Sequence, residues 1–168
     1  MWWFSRVLLL LLLLPLAACG FRPLYAERAQ ELEEPGLAAV KVLPIKDRIG
    51  QLLELSLRES FNPRGVAVAP RYTLTIALTT SRVDLGLQRD ATSTRARVDV
   101  YADFVLADAG SGKAVYNGRS QSTSAFNVLD DAYSAQVAED DARTRTVRDL
   151  SEDIHTRLAL FLRHQRAG

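Results

Sequence analysis

The chain is 168 residues long and carries 21 lysines and arginines, 20 aspartates and glutamates, two histidines and a single cysteine. That even balance leaves no net-charge footprint for nucleic-acid binding, so an anionic partner has to be met by a local cluster, and one cysteine excludes an intramolecular disulfide. The length suits a single domain of about 150 residues behind a short leader, enough for an ordinary core without metal or disulfide staples.

Met1-Trp2-Trp3-Phe4-Ser5-Arg6 carries one positive charge, Val7 to Leu14 is unbroken valine and leucine, and Pro15 precedes Leu16-Ala17-Ala18-Cys19-Gly20. A charged, then apolar, then small-residue layout marks a secretory signal peptide. A spanning helix is the competing reading, but it needs about 20 apolar residues, and the run that starts at Val7 ends at Ala18. Two small residues before a lone cysteine resemble the lipobox of bacterial lipoproteins. The resemblance implies cleavage after Ala18 and acylation of Cys19 at both its thiol and its new amine, whereas an ordinary secreted protein would carry that cysteine by chance. Each buried methylene contributes about 0.8 kcal/mol, so several acyl chains tether a protein to a membrane that it does not span. Gly20 stands where an aspartate would imply retention at the inner membrane, which favours the outer membrane. Residues 1–18 are then the signal peptide, 19–36 the lipidated N terminus and a polar tether ending in the turn signal Pro35-Gly36, and 37–168 one domain.

Ala39-Val40-Lys41-Val42-Leu43-Pro44-Ile45 is β-branched and apolar and predicts a first strand ending near Pro44. Asp47 is placed to cap a helix with the stripe Ile49, Leu52, Leu53, Leu57 and Phe61, which Asn62-Pro63-Arg64-Gly65 stops. From Arg71 the period becomes two, with Tyr72, Leu74, Ile76 and Leu78 on one face and Thr73, Thr75, Ala77 and Thr79 on the other. Val98, Val100, Ala102, Phe104 and Leu106 repeat the pattern, and the polar loop from Gly86 to Thr94 makes the two runs an antiparallel hairpin. Asp108-Ala109-Gly110-Ser111-Gly112 is a turn into a third, serine-rich hairpin strand from Lys113 to Phe126, whose alternation is weaker. Asp130 or Asp131 can cap a long last helix, its second half striped by Val147, Leu150, Ile154, Leu158, Phe161 and Leu162. The acid-first pairs Glu139 to Arg143, Asp141 to Arg145 and Asp153 to Arg157 contribute about 0.2–0.5 kcal/mol each and mark a solvated helix face. The order β-α-β-β-β-α predicts an α+β domain: a roughly four-stranded sheet, two helices packed on one face, and the other face left to water or a partner.

Chemistry is sparse along this frame. His155 and His164 are separated by about 900° of helix rotation, on opposite sides, and cannot share a metal. Asp140-Asp141 diverge by about 100°, and Asp130-Asp131 read as a cap. No nucleophile has an evident base, so the expectation is a protein with no enzymatic activity, no metal and no cofactor. More informative is a polar sheet face made of Thr73, Thr75, Thr79 and Ser81 on one strand and Arg97, Asp99, Tyr101 and Asp103 on another. Either Ser120, Ser122 and Ser124 or their neighbours extend it on the third. Such a face suits plain water or the polar interior of an outer-membrane β-barrel. Arg89, Arg95 and Arg97 surround the hairpin loop, where a basic cluster either solubilises the loop or binds phosphate by charge-assisted hydrogen bonds.

Three stretches carry a wider resemblance: Leu16-Ala17-Ala18-Cys19-Gly20-Phe21-Arg22-Pro23-Leu24-Tyr25; Ile45-Lys46-Asp47-Arg48-Ile49-Gly50-Gln51-Leu52-Leu53; and Ala125-Phe126-Asn127 followed by Tyr133 and Val137-Ala138-Glu139-Asp140-Asp141-Ala142-Arg143. In this order they resemble the LptE family of lipopolysaccharide-assembly lipoproteins in its alphaproteobacterial form, with Phe126 where tyrosine is usual. The resemblance implies a partner, the outer-membrane barrel LptD, whose lumen the lipoprotein occupies while lipopolysaccharide passes to the cell surface. It implies no catalytic residue and carries over one position, Cys19. Arg89, Arg95 and Arg97 are candidate lipopolysaccharide contacts on charge and placement alone. The second functional reading is a ligand-binding auxiliary lipoprotein of an ABC-type lipid transport system, which needs a concave apolar pocket but no barrel.

Overall fold

A computed structural model of the protein describes residues 36–66, 68–85, 95–128 and 130–167. The signal peptide, Cys19, nearly all of the tether, and the hairpin loop with Arg89 lie outside these residues. A 3-10 turn at Leu37–Ala39 leads into β1 (Val40–Val42), α1 (Asp47–Phe61), β2 (Tyr72–Asp84), β3 (Arg95–Asp108), β4 (Ala114–Asn127) and α2 (Ala132–Ala167). The strands form one mixed sheet in the order β1-β2-β3-β4, with β1 parallel to β2 and both hairpins antiparallel. This is the predicted α+β architecture in the predicted order.

The period-two pattern sets the register. Leu74 stands opposite Leu106 and Ile76 opposite Phe104, while Phe104 and Leu106 stand opposite Gly118 and Tyr116. Residues directly opposite share a face, so one side of the sheet is continuously apolar, and a one-residue slip would turn all of it to water. Both helices cover that side: Leu53, Leu57 and Phe61 of α1 and Val147, Leu150, Ile154, Leu158 and Leu162 of α2 complete a single core. Gly118 lets the Phe104 ring lie across β4, since a Cβ there would come within 2.5 Å of the ring's Cζ. The β3–β4 turn is held by Asp108, whose Oδ1 accepts from the Ser111 N–H at 2.8 Å and the Gly110 N–H at 3.2 Å, and Gly112 supplies the positive φ of 69°.

β1 is short, three residues, and ends near Pro44 as expected: the Leu43 N–H makes the last ladder bond, to the Leu74 carbonyl at 2.9 Å, and Pro44 has no N–H with which to continue. Three other expectations need correction. Asp47 does not cap α1 through its side chain. It is the first helical residue, at φ 69°, a left-handed turn that aspartate tolerates better than most residues. The carboxylate of Glu54 reaches back instead, accepting from the Ile45 N–H at 3.3 Å. Leu52, placed on the stripe, is 38% exposed, and the buried face runs through Gly50, Leu53, Leu57 and Phe61.

In α2 the correction concerns Glu139, which is buried, while Asp141, Arg145, Asp153 and Arg157 of the same acid-first pairs stay substantially exposed. Glu139 is 7% exposed; it accepts from Arg82 of β2 at 3.0 Å and pairs with Arg143. Arg145 pairs with Asp141 and donates to the Ser124 hydroxyl at 3.1 Å. Asp149 accepts from Ser122 at 3.0 Å, and Asp153 accepts from Ser120 at 2.5 Å and from Arg157 at 2.8 Å. The rungs repeat because two strand residues advance about 6.8 Å and four helical residues about 6 Å. An antiparallel helix therefore meets every second β4 serine with every fourth residue of its own. Asp131 does cap α2, its Oδ2 accepting from the Ser134 N–H at 2.8 Å.

Candidate functional site

The serine ladder decides which side chains face outward. With Ser120, Ser122 and Ser124 turned to α2, the uncovered sheet face receives their neighbours Arg119, Gln121 and Thr123 from β4. These stand opposite Asp103, Tyr101 and Asp99 of β3, which in turn oppose Ala77, Thr79 and Ser81 of β2. The result is a broad polar surface on three strands.

Its charges are paired in place. Arg119 bridges to Asp103 at 2.6 Å across the strands, and Arg97 bridges to Asp99 at 3.1 Å along β3. The Thr123 hydroxyl also donates to Asp99 at 2.8 Å, whose side chain is only 8% exposed although it sits on the open face. The bond to Asp103 raises the Arg119 guanidinium above its ordinary range. Tyr101 and Val105 are about 40% exposed and are the large apolar groups on β3 here. Where Asp103, Val105 and Arg119 meet Thr75 and Asn117, the face sinks into a shallow open depression of about 590 Å³.

Of the three arginines singled out from the sequence, Arg95 and Arg97 sit two residues apart on this face, at the hairpin end of β3, so the fold brings them together. Arg97 shares its Nε with Asp99. Arg89 and Cys19 are outside the described residues. Sequence reasoning left open whether the β4 serines or their neighbours join this face, and the serine register decides for Arg119, Gln121 and Thr123. It missed Arg82, whose Cζ lies 5.6 Å from the Phe126 ring centroid while its guanidinium holds Glu139 and Asp84. His155 stacks on Phe61 with centroids 6.0 Å apart, a packing role. Among the described residues no group of histidine, cysteine and acidic side chains is arranged to hold a metal ion.

On the helix side, a second cavity of about 290 Å³ lies between the first turns of α1, the first half of α2 and Thr80 of β2. Ile49 and Leu52 give it an apolar wall, and Arg48, Asp140 and Arg143 line its rim. It is open and mixed in character, not the enclosed apolar chamber that a lipid-carrying auxiliary protein requires.

No curated protein matches the chain. Among solved structures, a lipoprotein from Caulobacter crescentus CB15 is 25% identical with a TM-score of 0.67, covering 79% of this chain and 96% of its own. The rare lipoprotein B of Shewanella oneidensis (11% identity, TM-score 0.57, 76% and 96% covered) and a minor lipoprotein of Acinetobacter baumannii (16%, 0.56, 72% and 88%) share the fold. All three are lipoproteins, and among the described residues of the present chain no helix is long and apolar enough to cross a membrane. The model of the LptE family, described as lipopolysaccharide-assembly, matches residues 37–158, from the 3-10 turn through both hairpins and most of α2, and the chain belongs to that family.

Proposed function

We propose that this protein is an outer-membrane lipoprotein, held by acylated Cys19, that assembles with the LptD barrel and occupies its lumen while lipopolysaccharide is delivered to the cell surface. One observation carries the reading: a three-strand face of threonine, serine, glutamine and paired charges, backed by a complete core on the other side. Barrel interiors are polar, and such a face suits them, with Tyr101 and Val105 as its large partly exposed apolar groups on β3. The role is structural and non-catalytic. Arg95 and Arg97 at the hairpin end, with Arg89, are the proposed contacts to lipopolysaccharide phosphates, whose charge suits guanidinium donors.

The test is affinity purification of the tagged, acylated protein from detergent-solubilised outer membranes, with a high-salt wash and identification of what stays bound. Recovery of an LptD barrel at near-equal stoichiometry is expected, along with its loss in Tyr101→Glu, which places a charge at the centre of the polar face without entering the core. Recovery of the lipoprotein alone refutes the reading. Cys19→Ala is expected to release the protein from the membrane fraction.

A further inference from the structure

β1 covers little of its neighbour. It pairs with Tyr72–Leu74 only, and among the described residues no strand lies beyond β2 from there to Asp84. The Leu43 N–H bonds to the Leu74 carbonyl, so the backbone of Leu74 points away from β3. Backbone direction alternates along a strand, so the N–H and C=O groups of Ile76, Leu78, Thr80, Arg82 and Asp84 point outward too. Exposed edges are normally blunted by lysine, proline, bulges or short length. β2 runs for 13 residues in unbroken register with β3 and has neither lysine nor proline. Its two charged side chains are drawn inward or onto each other, Arg82 to Glu139 at 3.0 Å and Asp84 to Arg82 at 3.2 Å.

We infer that the free edge of β2 accepts an extended segment of the partner barrel protein, added as a fifth strand between Ile76 and Asp84. A row of alternating donors and acceptors is satisfied along its length by another extended main chain. The side chains of that segment are specified by what flanks the edge. On one side it meets Thr80 and the mixed cavity, whose apolar wall of Ile49 and Leu52 takes apolar residues beside the Arg48, Asp140 and Arg143 rim. On the other it continues the polar face through Thr79 and Ser81, so the segment alternates apolar and polar. The edge borders the face proposed to meet the barrel, so one partner covers both without turning a corner. The inference rests on that reading.

Hydrogen exchange of the full-length acylated protein, alone and in the purified barrel complex, tests it together with Thr80→Pro. Proline at an outward N–H of an edge strand keeps the β2–β3 ladder but removes a donor and blocks strand addition. The outward amides of β2 are expected to be slowed at least tenfold in the complex, and Thr80→Pro to reduce barrel recovery at least tenfold while melting like the parent. A recovered barrel with those amides exchanging as in the free protein, or with Thr80→Pro binding normally, overturns the inference and leaves the assembly reading standing. Edge amides already protected in a homodimer without the barrel also overturn it. Failure to recover a barrel at all removes the assembly reading, and the inference with it.

Discussion

Single atoms decide much of how α2 is held. Ser120 is 2% exposed and its hydroxyl donates to the Asp153 carboxylate at 2.5 Å, so Asp153→Ala strands a buried donor. The expected loss is about 1–3 kcal/mol in urea unfolding. Burial by itself pushes the Asp153 carboxyl up, yet the Ser120 hydroxyl and the Arg157 guanidinium outweigh it and hold the group below its ordinary value. Asp108 is held down by the Ser111 and Gly110 amides and the Ser111 hydroxyl, Asp131 by the Ser134 hydroxyl and amide, and Asp140 by the side chains of Gln136 and Arg143. A carboxyl whose folded value is depressed binds fewer protons folded than unfolded. Its contribution is therefore present above the ordinary carboxylate value and lost as pH falls through the folded one. Melting temperature is expected to fall as pH drops below about 4, with a shallower acid limb in Asp153→Asn. At Gly118 an added methyl would meet the core-facing Phe104 ring at 2.5 Å. Gly118→Ala is expected to cost about 1–3 kcal/mol through overpacking, read as a lower urea midpoint.

At the scale of elements, a helix and an edge strand are joined by matched repeats. β4 has no strand beyond it among the described residues, and α2 covers it with the Ser120, Ser122 and Ser124 rungs. β2 is tied to the same helix through Arg82 and Glu139. Glu139→Ala removes the acceptor shared by Arg82 and Arg143, and hydrogen bonds to charged groups contribute about 1.5–3 kcal/mol each when shielded. Both guanidiniums keep partial access to water, so the expected loss is nearer about 1–2 kcal/mol. The urea midpoint should drop with the slope unchanged, because the surface exposed on unfolding is the same.

For the whole molecule, one core joins both helices to one sheet face, so the domain should unfold in a single cooperative transition. Phe104 and Leu150 are 1% and 0% exposed. Phe104→Ala and Leu150→Ala are each expected to lower stability by about 2–5 kcal/mol, visible as large drops in melting temperature, while leaving the residues of the polar face in place. Melts unchanged by both would refute the core assignment.

Strand period, helix stripe and turn chemistry are local, which is why β2, β3, the Asp108 turn, a cap at Asp130 or Asp131 and the apolar half of α2 were legible in the amino-acid order alone. Family membership was legible for a related reason, since three stretches in a set order survive as sequence. What only tertiary structure decided lies where both faces of an element are polar. In β4 either set of alternating residues fits water, and the choice was made by α2 presenting acids at the spacing of the serines. The same helix turned Glu139 from a surface charge into a buried one, because its partner Arg82 is more than 50 residues away in the chain. Leu52 lost its place on the core stripe because α1 packs on α2 and β1 with Gly50, Leu53, Leu57 and Phe61 turned inward, a helix phase that tertiary contacts choose. The edge of β2 that no other strand covers among the described residues was hidden for the same reason. Whether a strand has a neighbour depends on how far β1 runs beside it, a long-range pairing that no local pattern of side chains records.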